Sequence, residues 1–251
     1  GGHTRRGRGE PWAADTVVNV WSVTKAWAAL CCHVLHDRGL LDYDTPVASY
    51  WPEYGCRGKE RTTVRQALSH AAGVPALRQP VHDPAALADW KLVTTAIAEQ
   101  APFWEPGSAA SYHAFTFGHL VGELVRRVDP SGRTVGAFFN EEVAVRCGVD
   151  CELFLGHAPL DRCADVFWAD SAHDTAWTRG AEAFAAESAR LLAEYDEWDA
   201  MAATAGKDER RRGAQRALRA HRSFNPQRPT AVVNSATWRC AEMPASGGHA
   251  T

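Results

Sequence analysis

The stretch that decides the fold is "VVNVWSVTKAWAALCCHVLHDRGLLDYDTP", residues 17–46. It opens short and β-branched, as a strand or extended approach. At Ser22 the spacing changes to that of a helix. Val23, Trp27, Leu30, Val34 and Leu35 recur at steps of three and four residues. Gly39 in "HDRGLL" reads as the stop of that helix. Ser22 and Lys25 lie three residues apart at its start, on one face, with Cβ atoms about 5–6 Å apart. A serine hydroxyl is a poor nucleophile until a neighbour takes its proton. A lysine can be that neighbour when burial destabilises its ammonium. Trp21, Val23, Trp27 and Ala28 are expected to form an apolar collar around it. The first turn also lies at the positive end of the helix dipole, where backbone N–H groups can steady a developing oxyanion. The plainer alternative is an N-cap serine followed by a lysine lying along the helix. The chain has 11 serines and four lysines, and this is its only Ser-x-x-Lys.

The 251 residues are 45% hydrophobic, enough for one large core. The formal net charge of -3 gives no reason to expect nucleic acid or an anionic membrane as a partner. No apolar run approaches 18 residues, so no membrane-spanning helix is expected. The seven cysteines are odd in number and form no C-x-x-C pair. They read as small buried apolar residues of a reducing, cytoplasmic compartment, and their spacing offers no zinc cluster. G-x-S-x-G, H-E-x-x-H, P-loop and G-x-G-x-x-G patterns are absent, and no metal or organic cofactor is expected. The chain opens without Met on "GGHTRRGRGEPWAADT" and stops at "PASGGHAT". The expectation is one incomplete domain over residues 1–251, a fragment of a longer protein.

Further along, "TTVRQALSHAAGVP" reads as a helix with a threonine cap, ended by Gly73 and Pro75. "DPAALADWKLVTTAIAEQ" and "TVGAFFNEEVAVRCG" read as further helices. "FWEPGSAASYHAFTFGHLVGELVRRV" is a Pro-Gly turn running into a helix with Phe117, Leu120, Val121 and Leu124 on one face. Residues 169–222 are rich in Ala, Glu and Arg and read as two long helices, an insertion with a solvated charged face. Tyr112 stands between the Pro-Gly turn and the buried helix, where a phenol can face a cleft. Near a lysine ammonium it can act as a general base or proton relay. Its alternative is a packed tyrosine hydrogen-bonded to backbone.

Taken in order, "SVTK", "GLLDYDTPVASYWPEY", "TTVRQALSHAAGVP" and "EPGSAASYHA" resemble the serine β-lactamase-like family: class C β-lactamases, DD-peptidases and family VIII carboxylesterases. The resemblance covers about residues 10–155 and returns at "AEMPASGGHAT". It implies an α/β (α+β) fold of β-lactamase/transpeptidase type, with an antiparallel sheet flanked by helices beside an all-helical lobe. This chain would supply mostly the helical part. By the same resemblance Ser22 is the acylated nucleophile, Lys25 shuttles its proton, and Tyr112 activates Ser22 and then the deacylating water. His70, in "LSHAAG", would be structural. The substrate would be a small ester or amide.

Two departures shape the expectation. The family's usual Tyr-x-Asn is here Tyr112-His113-Ala114, without the amide that would hold a substrate's amide side chain, which favours esters over lactams or peptidoglycan. The family's Lys- or His-x-Gly strand motif has no convincing counterpart. "GGHAT" looks similar, but its context resembles a segment that begins a later helix. The expected activity is therefore a carboxylesterase working through an acyl-enzyme. A β-lactamase or DD-peptidase is one alternative, an amidase another, and a non-catalytic scaffold a third.

Overall fold

A computed structural model of the chain describes residues 2–5, 10–78, 84–147, 152–166, 190, 193, 234–244, 246 and 248–251. The predicted helical insertion at 169–222 lies almost wholly outside them.

Strand β1 (Val18–Asn19) leads through a 3-10 turn at Trp21–Val23 into helix α1 (Thr24–Asp37). The expected helix is therefore present, but its α-helical part begins two residues after Ser22. Its end is built as the sequence implies. Gly39 takes φ +70°, its N–H donates to His36 O at 2.9 Å, and Leu40 N–H donates to Leu35 O at 2.9 Å. This pair of bonds closes the last turn on a residue that needs no Cβ.

Short helices α2 (Val47–Tyr50) and α3 (Val64–Leu68) follow, then α4 (Trp90–Glu99), α5 (Thr116–Val128), α6 (Val135–Phe139) and α7 (Val145–Cys147). The predicted threonine cap of α3 is present, and α4 and α6 are also capped by side chains that satisfy an orphan N–H. Thr63 and Gln66 form a reciprocal capping box at α3, and Asp89 and Thr134 cap α4 and α6. A π-helical turn at Asn140–Ala144 separates α6 from α7. Helix α3 stops earlier than Gly73. The chain leaves it through His70 at φ +61°, a left-handed conformation uncommon outside glycine and asparagine.

Helices α1 and α5 form the centre of the lobe. Trp27, Ala28, Cys31, Cys32 and Leu35 of α1 and Leu120, Val121, Leu124 and Val125 of α5 belong to one buried cluster with Val93, Ile97, Phe138 and Phe139. Cys31, Cys32, Cys56, Cys163 and Cys240 are free thiols, and Cys31, Cys32 and Cys163 are buried.

Strand β2 (Leu153–Leu155), the short helix α8 (Ala236–Cys240) and strand β3 (Gly248–Ala250) complete the described elements. The sheet is antiparallel in the order β1-β3-β2, with Val18 opposite Ala250 and Leu153 opposite Ala250 on the other side. Residues 248–250 of "GGHAT", expected to open a helix, thus supply the central strand. Here neighbouring strands, rather than local preference, decide the conformation.

Gly248 is required by close approach. A Cβ there would stand 2.5 Å from the Trp27 ring and 2.7 Å from Thr24 Oγ1. Neither can yield, because Trp27 stacks on Phe139 at 5.1 Å between centroids. Gly248→Ala is expected to destabilise the fold by about 1–3 kcal/mol through overpacking. A thermal melt checks this, and an unchanged midpoint would mean that α1 shifts freely against the sheet.

Candidate active site

The turn at residues 20–24 aims Ser22 outward. Trp21 takes φ +49°, which costs a bulky residue about 1–2 kcal/mol. Four bonds hold that corner. Trp21 N–H donates to Asn19 Oδ1 at 2.9 Å, and the Thr24 hydroxyl donates to Trp21 O at 2.5 Å while accepting from Gly248 N–H at 2.9 Å. Val20 N–H donates to Gly248 O at 2.9 Å. The central strand therefore clamps both sides of the turn, and Ser22 is left exposed at its tip.

Lys25 is the opposite case, only 7% exposed. Its Nζ donates to Ser22 Oγ at 3.3 Å and to the Ala114 carbonyl at 2.8 Å, and it lies 4.7 Å from the centre of the Tyr112 ring. The Tyr112 hydroxyl donates to Ser22 Oγ at 2.5 Å. Three residues drawn from 90 positions of chain thus meet at one oxygen. Of the expected collar, Trp27 and Ala28 are buried and Trp21 is partly so, but Val23 is 59% exposed. The 3-10 turn rotates Val23 away from the face that regular helical spacing assigns it. The remaining wall is α5 and the loop before it.

That arrangement is competent for acyl transfer. A 2.5 Å hydrogen bond lets a proton pass between the serine and the phenol, and the ammonium keeps electrostatic company with either oxygen once it is negative. Ser22 also sits at the N-terminal, positive end of the α1 dipole, which favours negative charge there.

Behind Tyr112, His70 is neutral at physiological pH. Burial first, and the Lys25 ammonium second, bring it down from 6.5 to about 4. The unfolded chain takes up a proton at this residue as pH falls from 6.5, whereas the folded protein does so only near 4. The folded state is therefore disfavoured progressively across that window. The melting temperature is expected to fall between pH 7 and pH 4, and to fall less in His70→Asn. Parallel curves for the two proteins would count against this.

Sequence reasoning identified Ser22, Lys25 and Tyr112, and the structure brings all three together. It missed Ala114, which acts through its carbonyl and so leaves no trace in side-chain identity. It also missed Thr24, although a hydroxyl at a helix start beside a buried lysine is a recognisable hint.

A profile of the family described as Beta-lactamase matches residues 1–251. The chain belongs to the β-lactamase family. Within that family it is 40% identical over 151 residues to the esterase/beta-lactamase LipL of Mycobacterium tuberculosis, a match covering 60% of this chain and 34% of LipL. The crystal structure of a family VIII carboxylesterase superposes with a TM-score of 0.74 at 33% identity, over 99% of this chain and 56% of that one. A penicillin-binding protein homologue from Caulobacter crescentus gives 0.68 at 32% identity, again over 99% of this chain and 56% of that one. The fold of this β-lactamase-family chain is accordingly of the β-lactamase/transpeptidase type. It spans little more than half the length of these two structures.

Proposed function

We propose that the protein is a serine hydrolase that cleaves carboxylic esters through an acyl-enzyme on Ser22. The observation that carries the reading is the convergence of Tyr112 Oη at 2.5 Å and Lys25 Nζ at 3.3 Å on one exposed serine oxygen. In the cycle, the Tyr112–Lys25 pair starts one proton short of a phenol plus an ammonium, and it takes up the Ser22 proton as Oγ attacks the ester carbonyl. The C–O bond to the alcohol then breaks, and the alcohol leaves with that proton. Water, deprotonated by the same pair, attacks the acyl-serine. The acid departs and Ser22 recovers its hydrogen. No metal or organic cofactor enters these steps.

The ester preference rests on residue 114. An alanine methyl stands where the family's asparagine amide would meet a substrate amide, so an amide substrate gains no partner there. The names of LipL and of the family VIII carboxylesterase agree with esterase activity among relatives. Labelling with a fluorophosphonate probe tests the nucleophile, and is expected in the parent protein and absent in Ser22→Ala. Turnover of a short-chain p-nitrophenyl ester against a chromogenic cephalosporin tests the substrate class. Faster cephalosporin turnover would move the reading to a β-lactamase, and labelling that survives Ser22→Ala would remove Ser22 from it. Among the described residues, no helix is long and apolar enough to cross a membrane.

A further inference from the structure

The loop that delivers Tyr112 and Ala114 is fastened to the loop after α3 by two histidines. Val74 N–H donates to His113 Nε2 at 3.1 Å, and His113 Nδ1 lies 2.6 Å from Ser111 O. A backbone N–H can only donate and a carbonyl can only accept. His113 therefore carries its proton on Nδ1. His113 N–H in turn donates to His70 Nδ1 at 3.0 Å, so His70 carries its proton on Nε2. The two neighbouring rings are fixed in opposite tautomers, each by a backbone group. Ser111 N–H donates to His70 O at 3.0 Å, and the Thr116 hydroxyl donates to Val74 O at 2.6 Å, so the fastening continues on both sides. The His70 ring also lies 4.9 Å from the Tyr112 ring and 4.8 Å from Phe117, between centroids.

We propose that His70 is a positioning residue: by accepting the His113 N–H and packing against the phenol, it holds Tyr112 Oη and the Ala114 carbonyl in register with Ser22 and Lys25. This rests on the reading of the Ser22 site given above. His70 touches none of the reacting atoms. Its neutral state matters because only an unprotonated Nδ1 can accept. Its left-handed φ of +61° is the local distortion that brings the ring over the Tyr112 loop instead of letting α3 continue.

Two variants separate positioning from mere stability. His70→Gly relieves the φ and keeps the backbone bonds, but removes the acceptor and the ring. His70→Asn also tolerates the left-handed conformation, and its side-chain oxygen can accept the same N–H. Both are assayed with p-nitrophenyl butyrate and with a fluorophosphonate, below both melting temperatures. His70→Gly is expected to lose about 10- to 100-fold in kcat and in labelling rate, the range a displacement near 1 Å produces. KM should stay within about threefold, because substrate contacts are untouched. His70→Asn should recover most of the loss. Equal kcat in parent and His70→Gly, or equal loss in the two variants, overturns the positioning role while leaving Ser22-dependent labelling intact. Absence of Ser22-dependent labelling in the parent protein would instead overturn the hydrolase reading and this inference with it.

Discussion

Ser22→Ala, Lys25→Ala and Tyr112→Phe are each expected to lower kcat/KM for a p-nitrophenyl ester by about 10³-fold or more, with circular dichroism unchanged. In the proposed mechanism each change removes one member of a unit that works only when complete. The serine supplies the attacking oxygen. The phenol is the group within 2.5 Å that can receive its proton, and the buried amine, anchored on Ala114 O at 2.8 Å, supplies the compensating charge. Lys25→Arg should not rescue, because a planar guanidinium is too broad for the space between Ser22 and Ala114. The double variant Lys25→Ala/Tyr112→Phe should be little worse than either single one, since groups acting as a unit are not additive. Losses that multiply would show two independent contributions, and normal activity in Lys25→Ala would remove the lysine from the mechanism.

Lys59→Met is expected to destabilise the fold by about 2–4 kcal/mol, although it replaces a buried charge with an apolar side chain of similar length. Lys59 is 0% exposed, and its Nζ donates to the carbonyls of Cys56 and Ala98, each at 3.1 Å, and to that of Gln100. It also lies 5.2 Å from the centre of the Tyr54 ring. Removing the ammonium spares its own desolvation but deprives three carbonyls of a donor. The Ala98 carbonyl keeps the Cys56 thiol at 3.2 Å, so the loss is not complete. Orphaned carbonyls outweigh the relieved charge because they cannot move: one belongs to the turn between α2 and α3, the other two to the end of α4. Urea unfolding monitored by fluorescence gives the change, with an unchanged slope marking an effect on stability alone. A loss below about 0.5 kcal/mol would show that the carbonyls find water instead.

The helical lobe was legible because its signals are local. Thr63 with Gln66, Thr134, and Gly39 each fix an end of a helix within a few residues of sequence, and the apolar face of α5 follows from its spacing alone. The ends that were misjudged have non-local causes. Helix α3 stops at Leu68 and not at Gly73 because His70 bends toward the Tyr112 loop, a contact made 43 residues downstream. Residues 248–250 form a strand because β1 and β2 are there to pair with it. The candidate site was half legible. Side-chain chemistry marked Ser22, Lys25 and Tyr112, whereas the Ala114 carbonyl, the tautomers of His70 and His113, and the Thr24 bridge belong to backbone geometry, which residue identity does not encode.

The Thr24–Gly248 bond joins groups 224 residues apart, and it braces the very corner that presents Ser22. A corner arranged this way has a built-in timetable. While the polypeptide is being synthesised, α1 can wind, yet the turn ahead of it lacks the strand that braces it. That brace forms only once Gly248 has emerged from the ribosome. A half-made chain would carry the hydroxyl, the amine and the phenol without it.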